Sequence, residues 1–452
     1  MKIHYGFILS VIAGLLWFTS VQVSALRQQP AGNASGATSR PAGTAQVQAE
    51  LLAELSARDA DRMLRLNRRL ESNPMDHEAA LLRSLLYFKA GRVGTALAQL
   101  EELAERAPLF HLAHLFRGDL LLAQFGQVKD IGETNLLKEL VKKDESQLER
   151  LRLEAGARLK GYLSLVGDAL VPSELINLSP QVKQAILVDK SRNRLYVFEN
   201  AGPMLPPMLR SDFYIAYGKK EGNKVREGDL RTPEGVYRIT SHIPDEKLPP
   251  MYGVGAYPIN YPNELDRKLD KSGFGIWLHG TDREFYSRPP NDSEGCVVLT
   301  NEDLDRIEDG FQVGTTPVII AERLEWVTPE RWLEQSRKAL EWVESWRADW
   351  ENGNVERYLS RYARDFWGDG YDLRTWQERK RLVARGKKFQ KVDLSRLSLL
   401  AYPAGAGLKG KRMMVAQFYQ SYKSNNYNGD MWKKLYLVEE GRDWKILYEG
   451  GL

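Results

Sequence analysis

The sequence contains very little cysteine and histidine: its 452 residues include one cysteine, Cys296, and six histidines. A single cysteine cannot form an internal disulfide, so a fold held together by disulfides is excluded. His111 and His114 lie one helical turn apart, but no third ligand of matching spacing is visible. We therefore interpret both as packing residues and expect no metal site.

An excess of either charge is also lacking, since 64 basic residues stand against 60 acidic ones and the net charge is +4. No long basic run is present, whereas surfaces that bind nucleic acid are usually strongly basic. The charge pattern therefore predicts that nucleic acid is not a partner.

Long apolar runs are missing except near the N-terminus, where residues 7–18 read "FILSVIAGLLWF". The small residues of Val23-Ser24-Ala25 follow this run, which is typical of a cleaved export signal. An uncleaved anchor is the alternative, but the run is short for a span of about 20 residues. We predict a signal peptide over 1–25 and a flexible linker over 26–46, and expect an exported protein with no membrane span after the signal is removed.

Helical periodicity dominates residues 47–178. Part of this region resembles a tetratricopeptide repeat, in which small residues let paired helices approach and a proline closes the unit. The residues that carry this resemblance are Tyr87, Gly91, Ala96, Leu100 and Pro108. About one and a half repeats are fewer than a stable solenoid needs. We therefore expect the region to pack on a neighbouring domain or to form a homodimer through these helices.

From Val182 the apolar period changes to that of β-strands, and residues 182–323 are predicted to form a mostly β domain. β-rich runs at 185–188 and 195–198 flank a polar segment, which predicts a hairpin. Further strand-like runs follow, and Gly and Pro punctuate them densely.

Residues 328–452 combine three helical stretches with four strand-like runs, and the end of the chain includes "KKLYLVEEGRDWKILYE". This order resembles the nuclear transport factor 2-like (NTF2-like, or SnoaL-like) cone. The predicted fold class is therefore multidomain α+β, with a helical N-terminal region, a mostly β central domain and an α+β cone at the C-terminus. We interpret the cone as a binding or positioning module.

The two rare residue types meet in one short segment, where 16 residues separate His279 from Cys296. A cysteine nucleophile needs a base to form thiolate and N–H donors to hold an oxyanion. His279 ends one predicted strand and Cys296 opens another, so adjacent strand ends can bring them together. Gly280 leaves its carbonyl accessible to orient the imidazole, and Gly295 lets the backbone approach closely. The N–H groups around Cys296 are candidate oxyanion donors, so Gly295 and Ser293 are assigned to the oxyanion site or to its shape. We interpret Ser293 as a hydrogen-bonding residue near the sulfur.

These motifs resemble the L,D-transpeptidase (YkuD) catalytic domain, whose signature is His-Gly, about fourteen to seventeen residues, then Ser/Thr-His-Gly-Cys. This sequence has His279-Gly280 and then Ser293-Glu294-Gly295-Cys296. The hairpin segment and Thr232-Pro233-Glu234-Gly235 also match the family pattern. The order of the three regions is similar to that of the cell-shape-determining L,D-carboxypeptidases of curved and helical bacteria.

Two positions depart from the family pattern. The histidine expected two residues before the cysteine is Glu294 here, and Val298 stands where the family often has arginine. The resemblance still assigns His279 as the base, so the minimal pair is kept. The second histidine of the family contributes either to the shape of the site or to substrate contact, and the sequence does not decide which of these Glu294 replaces.

The resemblance implies an enzyme of the bacterial periplasm, of Gram-negative type, that acts on peptidoglycan stem peptides without a metal or organic cofactor. Cys296 would form a thioester at the L,D bond between the diamino acid at position 3 and the D-alanine at position 4, as an L,D-carboxypeptidase or an L,D-transpeptidase. Arg283 and Arg288 lie between His279 and Cys296, and each is either a ligand for a substrate carboxylate or a solvated loop charge. The alternatives are a non-catalytic envelope scaffold that binds peptidoglycan, and an enzyme that makes or cuts protein–peptidoglycan links.

Overall fold

A computed structural model describes residues 55–123, 145–164 and 170–452. The predicted signal peptide (1–25) and linker (26–46) lie outside these residues. The described chain forms two compact units: the helices up to Leu159 together with Glu284–Pro289, and Lys160–Arg283 together with Pro290–Leu452. In the part of the chain that is described, no helix is long and apolar enough to cross a membrane.

The N-terminal part of the described chain is helical, as its periodicity predicts. Its helices are α1 (Ala57–Ser72), α2 (His77–Lys89), α3 (Val93–Arg106), α4 (His111–Ala123) and α5 (Glu145–Leu163). Asp76 caps α2 by accepting the Ala79 N–H at 2.9 Å. Gly91 has a φ of +75° and makes the turn between α2 and α3, where an L residue would be strained. Small and apolar side chains such as Ala96 and Leu100 are fully buried between the helices.

The central part of the second unit is mostly β. Its first strands are β1 (Val171–Pro172), β2 (Leu175–Asn177), β3 (Gln184–Asp189), β4 (Arg194–Glu199), β5 (Met208–Tyr214), β6 (Tyr217–Gly218) and β7 (Gly235–Arg238). The next elements are β8 (Ile243–Pro244), β9 (Gly255–Pro258), α6 (Glu264–Lys268) and β10 (Trp277–His279). The last are β11 (Asn291–Ser293), β12 (Val297–Val298), α7 (Asn301–Glu308), β13 (Pro317–Ala321) and β14 (Trp326–Val327). The strands form two main sheets, ordered β5-β4-β3-β13-β7 and β12-β10-β9-β8, and the short pairs β1-β14 and β11-β6.

The C-terminal part packs helices against one face of a seven-stranded sheet. Its helices are α8 (Pro329–Glu351), α9 (Val355–Leu359) and α10 (Leu373–Arg385). Its strands are β15 (Tyr362–Gly368), β16 (Tyr371–Asp372), β17 (Gln390–Ala401), β18 (Met413–Ser424), β19 (Asn428–Glu440) and β20 (Asp443–Gly451). With β2, these strands form the sheet in the order β16-β15-β20-β19-β18-β17-β2. Trp346 of α8 is fully buried against this sheet.

Strand β3 is buried on both faces, which explains its unbroken apolar run. Ile186 and Val188 pack toward the sheet that contains β10 and β12. Ala185 and Leu187 pack on the other side, against residues of the C-terminal sheet. Because side chains alternate along a strand, a strand between two cores is apolar at every position.

The central and C-terminal parts share that second core. Its C-terminal members include Val415 and Tyr436, which lie with Leu187 in one buried cluster. Polar contacts reinforce it: Glu264 Oε2 accepts hydrogen bonds from Lys434 Nζ at 2.8 Å and from Tyr436 Oη at 2.9 Å. The two parts are therefore joined by a continuous core.

The predicted fold class is confirmed, and the predicted hairpin forms between β3 and β4. Several short elements were not anticipated, and β1 and β2 lie inside the stretch 47–178 that was predicted to be helical. Helix α7 follows the cysteine strand directly, β15 replaces the end of a predicted helix, and β2 adds to the C-terminal sheet by pairing with β17. Tertiary pairing decides these short elements, so local periodicity does not reveal them.

Replacing Glu174 with glutamine is expected to change how stability depends on pH. The side chain is 3% exposed, and burial raises the pKa of its carboxyl from 4.5 to about 7, although a hydrogen bond from the Glu325 N–H lowers it. A carboxyl whose pKa is higher in the folded than in the unfolded protein stabilises the fold fully at pH values below its unfolded pKa. This contribution is lost as the pH rises through its folded pKa. As the pH rises from below 4.5 to above about 7, the unfolding free energy of the wild type should fall by about 3 kcal/mol relative to that of Glu174→Gln. Denaturant titrations at several pH values measure the difference, and parallel pH curves would contradict the assignment.

Candidate active site

His279 and Cys296 lie on adjacent strands. His279 is the last residue of β10, and Cys296 directly precedes β12. The strands are parallel neighbours, with Leu278 opposite Val297 and His279 opposite Val298. Leu278 and Val297 point into a core and are fully buried. Because side chains alternate along a strand, His279 and Cys296 both face the other way.

The His279 side chain is fixed by the main chain beside it. It is 2% exposed, and its Nδ1 lies 2.6 Å from the Gly280 carbonyl oxygen. A carbonyl oxygen can only accept, so Nδ1 carries the hydrogen and the lone pair of the neutral imidazole is on Nε2. The Tyr252 ring packs edge-to-face on the imidazole with ring centroids 4.9 Å apart. The Gly280 carbonyl thus takes the orienting position that Asp holds in a conventional triad.

Asn301 orders the chain directly after His279, and the sequence analysis missed it. Its Oδ1 accepts the N–H of Thr281 at 3.0 Å and that of Val254 at 3.3 Å. A Cβ on Gly280 would lie 2.2 Å from the same oxygen, so the site requires glycine there. No local motif marks Asn301, because the groups that it binds come from two distant stretches of the chain.

Cys296 follows a turn that Ser293 holds closed. Ser293 Oγ donates to the Cys296 carbonyl at 2.6 Å and accepts the Gly295 N–H at 3.1 Å. The Cys296 thiol is half-buried and donates to the Gly275 carbonyl with a separation of 3.5 Å. Gly275 was also missed, since only the tertiary fold brings it to the sulfur. The Gly295 amide is engaged by Ser293, so this glycine serves the shape of the turn rather than the oxyanion.

The remaining three candidate residues have different surroundings from one another. Arg283 is exposed and forms an ion pair with Asp245 at 2.5 Å, so a substrate carboxylate must compete with Asp245 for it. Arg288 is half-buried and belongs to the segment Glu284–Pro289 of the helical unit. Glu294 is exposed in the turn before Cys296.

The arrangement places a thiol and an oriented imidazole on the same face of neighbouring strands. Within the described residues, no group of three or more His, Cys, Asp or Glu side chains is placed to hold a metal ion. A half-buried thiol on the same strand face as a fixed imidazole is suited to acyl transfer through a covalent intermediate.

Two parts of the sequence match known domain families. Residues 183–320 match the L,D-transpeptidase catalytic domain (YkuD), and residues 338–450 match the Cds6 C-terminal NTF2-like domain. No curated protein sequence matches the chain.

Solved structures resemble the larger part of the chain. Bd1075 from Bdellovibrio bacteriovorus is 28% identical with a TM-score of 0.54, and the alignment covers 62% of this chain and 97% of Bd1075. Two structures of the helical cell shape determining protein Pgp2 from Campylobacter jejuni are each 25% identical, with TM-scores of 0.52 and 0.50. These alignments cover 64% and 61% of this chain, and 97% and 95% of the Pgp2 chains.

The matches confirm both resemblances inferred from the motifs. The central part of the chain is similar to the L,D-transpeptidase (YkuD) catalytic domain, and the C-terminal part is similar to the NTF2-like domain of Cds6.

Proposed function

We propose that this protein is an exported enzyme of the peptidoglycan layer that attacks stem peptides with Cys296. The bond attacked joins the diamino acid at position 3 to the D-alanine at position 4. Enzymes of the YkuD family act on peptidoglycan peptides, which supports this substrate class. We also propose that the enzyme acts in the periplasm of a Gram-negative-type bacterium.

One observation carries the proposal: the single cysteine and a fixed histidine share one face of two adjacent parallel strands. A buried structural cysteine would need neither the exposure of this thiol nor an oriented imidazole on the neighbouring strand. If the protein were instead a non-catalytic envelope scaffold whose central domain had lost its activity, we would expect one of the two residues to be lost, but both are present.

The reaction proceeds in two steps, formation of a thioester on Cys296 and its breakdown. The Cys296 proton passes to His279 Nε2, and the thiolate attacks the carbonyl carbon of the diamino acid. The C–N bond to the terminal D-alanine breaks, His279 returns the proton to the leaving amine, and a thioester remains. Water or an amine then attacks the thioester carbonyl, and His279 takes its proton. The C–S bond breaks and a shortened or a cross-linked peptide leaves. The proton on His279 returns to the Cys296 thiolate.

We favour hydrolysis, and therefore L,D-carboxypeptidase activity, over transpeptidation. Glu294 replaces the family's second histidine, and the similarity extends to a cell shape determining protein. An enzyme that makes or cuts protein–peptidoglycan links would use the same site with a different acceptor or substrate.

Incubating purified protein with disaccharide-tetrapeptide and identifying the products by mass spectrometry tests the proposal. Loss of one D-alanine that leaves tripeptide identifies a carboxypeptidase, and a dimer linked through position 3 identifies a transpeptidase. If a folded sample with reduced Cys296 leaves the substrate unchanged, neither the carboxypeptidase nor the transpeptidase assignment is supported. That result would favour a scaffold or an enzyme that acts on a protein-linked substrate.

Replacing Gly295 with alanine is expected to lower turnover by about 100-fold, because small displacements of reacting groups carry costs of that size. Gly295 has a φ of +134°, and a Cβ there would lie 2.8 Å from the Arg231 carbonyl oxygen. Either the turn or Arg231 must move, and the turn carries Cys296. Gly228→Ala is the matched control, because its φ is +71° and nothing lies within 4 Å of its Cβ. D-alanine release measures turnover, and equal rates for the two variants would contradict the role of Gly295.

We also propose that the helical unit mediates self-association, since its repeat-like helices are few. Light scattering across a range of protein concentrations measures the oligomeric state. A monomer at the highest concentration would contradict this proposal.

A further inference from the structure

The loop between His279 and Cys296 does not belong wholly to the unit that contains those residues. Its middle segment, Glu284–Pro289, is part of the helical unit, whereas Arg283 and Pro290 on either side belong to the second unit. The helical unit therefore includes six residues of the stretch that joins the proposed base to the proposed nucleophile.

Tyr286 is the apolar contact of this segment within the helical unit. Its ring lies against Phe110, with centroids 4.3 Å apart, and near His77, with centroids 5.6 Å apart. Phe110 is 1% exposed and His77 is 5% exposed, so Tyr286 packs on the core of the helices rather than on their surface. Phe285, next to it, is 52% exposed, so the docking selects one of two neighbouring aromatic rings.

Ser287 adds a polar contact to the same core. Its Oγ donates to Glu154 Oε1 at 2.6 Å, and Arg158 Nε donates to the same oxygen at 2.8 Å. Arg158 also donates through Nη1 to Glu78 Oε1 at 2.9 Å. Glu154, Arg158 and Glu78 are all buried. Buried ion pairs are stable only when their hydrogen-bonding groups are matched, so the bond that Ser287 adds to this network disfavours displacement of the segment.

We propose that the helical unit anchors the active-site loop through Tyr286 and Ser287, and that Tyr286 is a positioning residue for substrate binding. The inference rests on the proposed function, because it concerns the affinity of that site for stem peptides. The loop carries Arg283 and Arg288, the candidates for contact with substrate carboxylates.

The physical reason is the entropy of a long loop. A loop of 16 residues that is ordered before the substrate arrives need not be ordered by the substrate. If the anchor is lost, the loop samples several conformations, and only one of them binds substrate. The apparent affinity is then the intrinsic affinity multiplied by the fraction of molecules in that conformation. The pairing of β10 with β12 holds His279 and Cys296 independently of the loop, so the chemical step should be spared.

The test compares Tyr286→Ala with Phe285→Ala, which removes a neighbouring aromatic ring that is exposed. For Tyr286→Ala we expect the KM for disaccharide-tetrapeptide to rise about tenfold, with kcat within about twofold of wild type. Hydrogen exchange of the peptide that contains residues 284–289 should accelerate by at least about tenfold. Phe285→Ala should leave both quantities near wild type, and Tyr286→Phe, which keeps the ring, should restore most of the affinity.

Ser287→Ala provides a second route, because it removes one hydrogen bond and leaves the apolar core of the helices intact. It should raise the KM in the same direction by a smaller factor. The proposal would be overturned if Tyr286→Ala and Ser287→Ala had the same KM and the same exchange rate as Phe285→Ala. It would also be overturned if the two variants changed kcat alone. Exchange needs no substrate, so the anchor can be judged even if the wild type turns over no stem peptide, and failure of the two proposals can be told apart.

Discussion

Replacing Cys296 with alanine is expected to abolish release of D-alanine from disaccharide-tetrapeptide, with a fall in rate of at least about 1,000-fold. The reason is that Cys296 is the only thiol in the chain, so no neighbouring cysteine can substitute for it. Alanine keeps the backbone of the turn, because the Ser293 hydrogen bond reaches the carbonyl of residue 296 rather than its side chain.

The measurement is a time course of free D-alanine, made beside a thermal unfolding curve for each protein. Cys296→Ser serves as the matched variant: it keeps the size and hydrogen-bonding capacity of the side chain but offers a much weaker nucleophile at neutral pH. It should be nearly as inactive as Cys296→Ala. A folded Cys296→Ala protein that retains a tenth of the wild-type rate would show that another group attacks the peptide.

Replacing His279 with glutamine is expected to lower kcat/KM by about 100- to 10,000-fold, the usual range for loss of a general base. Glutamine can keep a hydrogen bond near the Gly280 carbonyl, but it has no group that accepts the Cys296 proton at neutral pH. Alkylation of Cys296 by iodoacetamide should slow as well, because less thiolate is present when the imidazole is absent.

His242→Gln is the control for this variant. His242 is exposed and stacks on Tyr257 with ring centroids 4.7 Å apart, whereas the ring that packs on His279 is Tyr252. Its replacement should leave both turnover and alkylation close to wild type. Equal alkylation rates for His279→Gln and the wild type would contradict the assignment of His279 as the base that activates the thiol.

The pair at the centre of the site was predictable because its chemistry is rare in this chain. One cysteine and one histidine at the ends of strand-like runs, each beside a glycine, already indicate a nucleophile and a base. The orienting role of the Gly280 carbonyl was also predicted, and the 2.6 Å contact to His279 Nδ1 fits it. The roles of Asn301 and Gly275 were not predictable, because each contacts the site from a distant position in the chain.

The domain division was harder to predict than the elements. Apolar period and turn residues correctly indicate helices, then strands, then a mixed region. They do not reveal that Leu187 of the central part and Tyr436 of the C-terminal part lie in one core, nor that β2 extends the C-terminal sheet. Such contacts depend on which apolar faces meet, and both faces of β3 look alike in sequence.

The shared core also changes how the C-terminal domain can be studied. Deleting residues 326–452 would expose the apolar side chains that pack on Ala185 and Leu187, so a loss of activity would not separate substrate positioning from unfolding. Point substitutions on exposed positions of the C-terminal domain avoid this difficulty.

The most direct test of the central claim is to trap the covalent intermediate. Wild-type protein is mixed with disaccharide-tetrapeptide, quenched in acid at short times, digested, and analysed by tandem mass spectrometry. We predict an acyl group of disaccharide-tripeptide mass on the peptide that contains Cys296, removable by hydroxylamine as a thioester is, and absent from Cys296→Ala. Turnover of the substrate with no adduct at Cys296, or with an adduct on another residue, would contradict the assignment of this cysteine as the nucleophile.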